Sequence, residues 1–260
     1  MVIYSLKKSY QLKDLQEINF KDLWGDHGIF TTMWIFGKPP KILFFDKHIK
    51  NLIRSLQKFK IKKKSLKKDI LYILNKNLSK KKNYNHLLRV ALNKKVISIS
   101  LRKRVPPKLD FDLKLVKLKR EKPQHKNLKY KKILSHLSKM DNSKSDIALV
   151  NNKKILETGT SNLLFIKNND IFVPMKDYYE GITYKFFKSK IKKIFKKNIT
   201  IQDLKNYDEI LLIGSGKGVA SVKTIFSIDW KRKNLKKFKL FSKYFKTEIK
   251  RCKSFEFPVS

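Results

Sequence analysis

Residues 28–36 (GIFTTMWIF) and 41–45 (KILFF) are short apolar runs rich in β-branched and aromatic side chains, and Gly37-Lys38-Pro39-Pro40 breaks them apart. Such runs read as two strands joined by a turn. This stretch restricts the fold more than any other, because the period changes directly after it. Asp46 stands where a helix N-cap is expected, and Ile49, Leu52, Ile53 and Leu56 then recur at helical spacing to about Phe59. Further helices are expected at about 65–78 and 84–92, followed by a strand, VISISL, at 96–101. Residues 105–125 hold several prolines and little periodicity beyond LKLVKLK. Beyond them the pattern gives a helix at about 127–139, strands at 147–150, 163–166 and 171–173, and a helix at 183–196. Strand EILLI at 209–213 ends in a glycine-rich turn. The last helix, about 232–250, carries Leu235, Phe238, Phe241, Phe245 and Ile249 as a packing face. The expected class is mixed α/β (α+β) with antiparallel-rich sheets: a small N-terminal α/β domain at 1–110, a linker at 111–125 and a larger domain at 126–260.

Composition narrows the function. The chain holds 63 basic against 21 acidic residues, a formal charge of +42. Most of the basic residues are lysine, asparagine is abundant, and the charge runs from end to end rather than gathering in a tail. That distribution points to drift in an AT-rich genome rather than to a specific nucleic-acid partner. The general positive field still attracts anionic small molecules. No apolar run approaches the roughly 20 residues that span a bilayer, so no membrane partner is expected. MVIYSLKKSYQLKDLQ has neither a continuous apolar stretch nor a small-residue cleavage site. A single cysteine, Cys252, forms no internal disulfide, and no zinc-type Cys/His spacing occurs. The expectation is a cytoplasmic protein without a bound metal.

Lys126 is unremarked among so many lysines until its surroundings are read. His125-Lys126-Asn127-Leu128-Lys129-Tyr130 precedes an amphipathic helix. About thirty residues on comes Glu157-Thr158-Gly159-Thr160-Ser161-Asn162-Leu163. Phe172-Val173-Pro174, Gly181-Ile182-Thr183 at a helix start, and Gly214-Ser215-Gly216-Lys217-Gly218-Val219 after a buried strand complete the series. Each is weak by itself. The glycine-rich run lacks the GxxxxGK[ST] spacing of a nucleotide-binding loop. Taken alone, Glu157 also reads as an exposed carboxylate in a turn, and the glycines as ordinary caps and turns.

In order and spacing these segments resemble the class IV, or branched-chain-type, aminotransferases. Gly28-Ile29-Phe30-Thr31-Thr32 and His48-Ile49-Lys50-Asn51-Leu52 resemble that family's first strand and first helix. The resemblance covers nearly the whole chain. It implies a two-domain fold type IV enzyme that uses pyridoxal 5'-phosphate (PLP) and acts as a homodimer. It makes Lys126 the lysine that bonds the cofactor and then serves as a base, and Glu157 the carboxylate facing the pyridine nitrogen. It assigns the phosphate to Gly181, Ile182, Thr183, Ser215 and Gly216, through backbone N–H groups and hydroxyls. Tyr130 either bonds the cofactor's phenolic oxygen or packs against the helix.

The chain departs from the family at several positions. Asn51 stands where an arginine normally grips the phosphate, with Lys50 and Arg54 as substitutes on the same helix. Leu164, Val173 and Tyr184 replace an aromatic, a threonine and a basic residue. Neither the Tyr-x-Arg-Pro stretch of branched-chain aminotransferases nor the Arg-x-His pair of D-amino acid aminotransferases occurs around 96–108. Gly28–Thr32 looks most like the 4-amino-4-deoxychorismate lyases, which release pyruvate and leave p-aminobenzoate for folate synthesis. In that reading Lys126 moves the proton at C4, Lys126, Thr31 or Thr32 protonates the departing group, and Arg102 or Arg104 holds a carboxylate of the anionic substrate or else sits solvated on the surface. The alternatives are an aminotransferase for branched-chain or D-amino acids and, in another class, a non-enzymatic basic binding protein.

Overall fold

In the computed structural model, which describes residues 3–256, the chain divides into two units. One takes the residues up to Arg104, His125–Tyr130 and those from Arg251 on; the other takes Val105–Gln124 and Lys131–Lys250.

The first unit contains β1 (Tyr4–Gln11), β2 (Glu17–Ile18), β3 (Ile29–Gly37), β4 (Lys41–Ile42), α1 (Phe45–Leu56), α2 (Leu66–Asn77), β5 (Tyr84–Leu92) and β6 (Val96–Lys103). The strands form one antiparallel sheet in the order β2-β1-β6-β5-β3-β4. Ile29, Met33 and Ile35 of β3, with Leu88, Val90 and Leu92 of β5, share a core with Ile49 and Leu52 of α1 and Ile70, Ile73 and Leu74 of α2. Alternation along a strand sends the intervening residues to the other face. There Phe30, Ala91, Val96, Leu23 and Leu128 form a second cluster.

Three local expectations change. Residues 84–92 are a strand, not a helix: both faces are covered, so the alternation that would mark a strand is hidden in a nearly continuous apolar run. Helix α1 begins at Phe45, which leaves only Lys41–Ile42 as strand. Its N-cap is Phe44, in the left-handed conformation, while Asp46 lies in the first turn, where its charge still favours the positive helix end. Gly28, just before β3, is required by close packing, since a Cβ there would lie 2.3 Å from the Leu92 carbonyl oxygen.

The second unit contains β7 (Phe111–Lys117), α3 (Lys131–Leu137), β8 (Ser145–Asn151), β9 (Lys154–Thr158), β10 (Asn162–Lys167), β11 (Asp170–Pro174), α4 (Ile182–Lys188), β12 (Phe195–Lys197), β13 (Glu209–Gly214), β14 (Gly218–Ile225), β15 (Trp230–Lys231) and α5 (Lys236–Arg251). Its sheet runs β12-β11-β10-β13-β14-β7-β8-β9, with β15 on β14. Residues 111–117, which the sequence reading puts in the connecting stretch, form β7 and pair in parallel with β8 and β14. The core beneath the sheet includes Phe111, Ile155, Phe165, Ile210, Leu212, Val222 and Trp230.

The helix expected at 183–196 ends at Lys188. The lysine-rich residues after it offer little to bury, and Phe195 instead stacks on Phe172 at 5.3 Å as β12 joins β11 in parallel. Gly218, at φ +73°, opens β14 beneath the Phe245 ring, which lies 2.6 Å from where a Cβ would be.

Candidate active site

The first unit holds the lysine. The segment 125–130 does not begin a helix as expected; it lies along β3. The Phe30 N–H donates to the Lys126 carbonyl (2.9 Å), the Leu128 N–H to the Gly28 carbonyl (2.9 Å), and Ile29 and Asn127 form an antiparallel bridge. This pairing delays α3 to Lys131. It also sets Lys126 Nζ 5.1 Å from the Phe30 ring centroid. Trp24, Phe30 and Tyr130 pack together: Trp24 stacks on Tyr130 at 5.8 Å, and Phe30 meets both edge-on at 4.7 and 5.4 Å. Tyr130 thus joins an aromatic cluster with Trp24 and Phe30.

Thr31 and Thr32 have different neighbours. The Thr31 hydroxyl is buried 2.7 Å from His48 Nδ1 on α1. His48 is itself buried, and its pKa is depressed from 6.5 to about 3 by loss of solvent and then by the Lys126 charge. Thr32 lies directly opposite Arg89 in the β3–β5 register, so their side chains share the face away from α1.

Sequence reasoning passed over Arg89. It is buried, ion-paired with Asp22, and its guanidinium carbon lies 4.5 Å from the Trp24 ring centroid. Its Nε and Nη1 have no partner among the described residues. Arg102 lies on the same face, since Arg89 faces Ser100 and Leu87 faces Arg102. Burial lowers the pKa of Arg102. Arg104 stacks 4.1 Å above Trp34, with its pKa lowered to about 10 by burial. Neither arginine is a fully solvated surface residue. Asn51 is half-buried on α1, and Lys50 and Arg54 are exposed there.

The second unit holds the carboxylate. Glu157 is not in an exposed turn; it lies in β9 with its side chain 7 % exposed. Arg120, 2 % exposed, donates from Nε to Oε1 at 2.6 Å and from Nη2 to Oε2 at 3.1 Å, and the Tyr179 N–H adds a bond to Oε2 at 3.2 Å. Asn162 accepts from the Gly181 N–H (3.0 Å) and donates to the Tyr179 carbonyl, fixing the loop before α4. Gly181 is the N-cap of α4, Ile182 and Thr183 are buried in its first turn, and the Thr183 hydroxyl is 3.1 Å from that of Ser215. Ser215 and Gly216 lie in the half-exposed turn after β13.

That turn is anchored by Lys217, whose Nζ is 3.3 Å from the fully buried Asp146 and donates to Thr160 at 3.0 Å. Arg120 has nothing local to separate it from its many basic neighbours, and Lys217 is visible in the sequence only as part of the glycine-rich run; burial and an acidic partner single both out.

Among the described residues, no group of three or more His, Cys, Asp and Glu is arranged to hold a metal, and no helix is long and apolar enough to cross a membrane.

The sequence profile of the class IV aminotransferases matches residues 28–225. The chain belongs to that family, whose members are PLP-dependent enzymes. Three solved structures share the fold. The branched-chain aminotransferase of Thermoproteus uzoniensis, solved with norvaline, aligns at 15 % identity and TM-score 0.73, over 94 % of this chain and 93 % of that one. A Legionella pneumophila protein provisionally named 4-amino-4-deoxychorismate lyase aligns at 17 % and 0.70, over 85 % and 91 %. A hypothetical aminotransferase of Mycobacterium tuberculosis, in its PLP-bound form, aligns at 13 % and 0.67, over 94 % and 99 %. No sequence match emerges among curated proteins.

Proposed function

We propose that this chain is a PLP-dependent lyase that releases pyruvate from 4-amino-4-deoxychorismate and leaves p-aminobenzoate. The observation that carries the reading is Arg89: a buried guanidinium with two unpartnered nitrogens, on the same sheet face as Arg102 and Thr32. A buried donor without a partner is costly, and a substrate carboxylate supplies one. The proposed substrate carries two carboxylates, one on the ring and one on the enolpyruvyl group, which suits two arginines.

The residues fit the cofactor. Lys126 has the amine that would bond it, Glu157 the buried anion for its ring nitrogen, and Thr183, Ser215 and the backbone of Gly181, Ile182 and Gly216 the neutral donors for its phosphate. When bound, PLP supplies a protonated ring that accepts an electron pair from the substrate carbon. Lys126 Nζ takes the proton from C4. Arg89 and Arg102 orient the substrate carboxylates on the sheet face. The proton for the departing enolpyruvyl group comes from Nζ or from the Thr32 hydroxyl. Thr31, already bonded to His48, supports α1 instead. The reading includes a cytoplasmic homodimer, and it gives the positive surface the role of drawing in an anionic substrate.

The test is a side-by-side assay. Purified protein with PLP should release pyruvate and p-aminobenzoate from 4-amino-4-deoxychorismate. Transamination of branched-chain or D-amino acids without pyruvate release would replace the lyase reading with the aminotransferase one. A protein with no near-visible absorbance after incubation with PLP would refute both.

A further inference from the structure

We infer that Arg120 is the positioning residue that sets the protonation state of the cofactor's ring nitrogen, by holding Glu157 as an oriented anion. The inference rests on Glu157 being the ring partner. Three N–H donors converge on the Glu157 carboxylate: Arg120 Nε on Oε1 at 2.6 Å, and Arg120 Nη2 and the Tyr179 backbone on Oε2 at 3.1 and 3.2 Å. An ionised carboxylate accepts only, whereas a protonated one must donate one hydrogen. A guanidinium has no acceptor to receive it. An unprotonated ring nitrogen could accept that hydrogen, but the guanidinium charge against the carboxylate favours the anion, and the anion favours a ring nitrogen that bears the proton.

Burial makes the selection strict. The two side chains are 2 % and 7 % exposed, so water does not replace a lost donor. Orientation is fixed as well as charge. Arg120 Nη2 also donates to the Pro123 carbonyl at 2.7 Å, which holds the guanidinium plane from its far side. Both carboxylate oxygens are engaged in a fork, which leaves no freedom to rotate. Glu157 sits on β9, at the end of the sheet order, opposite Leu149 of β8.

The experiment uses the full chain loaded with PLP labelled with ¹⁵N in the ring. The ¹⁵N chemical shift reports whether the nitrogen is protonated, and PLP affinity is measured in parallel. The variants are Arg120→Met, Arg120→Lys, Glu157→Gln and the double variant Arg120→Met/Glu157→Gln. Wild type should show a protonated nitrogen at neutral pH and Glu157→Gln an unprotonated one. Arg120→Met should match Glu157→Gln, and Arg120→Lys, which keeps the charge but loses the fork, should fall between.

Arg120→Met strands a buried charge and is the variant most prone to misfold. The double variant removes both charges and remains informative: its shift and turnover should equal those of Glu157→Gln alone. Turnover lower by more than about tenfold in the double variant would show a separate role for Arg120 and overturn the inference. A protonated nitrogen in Arg120→Met, or in Arg120→Lys to the full wild-type extent, would do the same. A protonated nitrogen in Glu157→Gln, or no cofactor signal in wild type, would instead sink the assignment of Glu157.

Discussion

Replacing His48 by glutamine should flatten the acid limb of the stability profile. His48 is buried between α1 and β3, and its folded-state pKa is about 3 against an ordinary 6.5. A histidine depressed by folding stays neutral in the native protein while the unfolded chain takes up a proton. The unfolded state therefore gains protons first as pH falls below 6.5, and stability is lost between 6.5 and about 3. Above 6.5 both states are neutral and the group has no pH effect. With these two values the loss is about 2 kcal/mol at pH 5 and about 3 kcal/mol at pH 4. Both are large beside a total stability of about 5–15 kcal/mol. The assay is urea unfolding followed by tryptophan fluorescence, for wild type and His48→Gln, at about pH 7 and about pH 5. Carboxylates titrate in both proteins and cancel in the comparison. Wild type should lose about 2 kcal/mol more than the variant. Equal losses would mean that His48 is solvated or already paired as a cation, and the account of the Thr31–His48 contact would fall with it.

Four further outcomes are expected. Borohydride reduction of the PLP-loaded protein and peptide mapping should place the pyridoxyl group on Lys126; a label on another lysine removes that assignment. Arg89→Met should raise KM for a dicarboxylate substrate about ten- to a hundredfold, the value of a charge-assisted bond of about 1.5–3 kcal/mol, while leaving PLP affinity unchanged; an unchanged KM would show that the unpartnered nitrogens do not meet substrate. Asn51→Arg should tighten PLP binding by up to about a hundredfold, because it restores a charged phosphate ligand where an amide now stands; no gain would show that another cation already serves. Binding to duplex DNA, where seen at low salt, should be sequence-independent and collapse toward physiological salt; a sequence-selective nanomolar complex would overturn the reading of the charge.

Much of the fold was legible because its periods are local. The β3 strand, α1 and the strands around Phe165 and Leu212 follow from alternation or helical spacing within a few residues. The failures share a cause. Residues 87–92 are buried on both faces, so the covering of the sheet decides their state and no local pattern reveals it. Likewise 126–128 prefers bridging β3 to starting a helix, a choice made by residues nearly a hundred positions earlier. The site divides in the same way. Lys126, Glu157 and Gly181–Thr183 were readable as motifs. Arg120, Arg89 and Asn162 act through partners distant in sequence: Glu157, Asp22 and the Gly181 N–H.

Burial accounts for why three basic residues matter in a chain with 63. Composition drift toward lysine is tolerated wherever the ammonium stays in water, since an exposed charge alters stability little. It is not tolerated in the interior, where an unpaired charge is expensive. Among the described residues the buried lysines and arginines are Arg89, Arg120 and Lys217. Arg120 and Lys217 each have a buried acidic partner, Glu157 and Asp146, and each holds a segment that carries a candidate cofactor ligand. Arg89 differs. Its acidic partner, Asp22, is half exposed, and two of its nitrogens have no partner. In the proposed reading, the anionic substrate would supply the acceptors that these two nitrogens lack. The Asp22 ion pair and the Trp24 ring account for one side of the guanidinium, and the proposed substrate carboxylate accounts for the other.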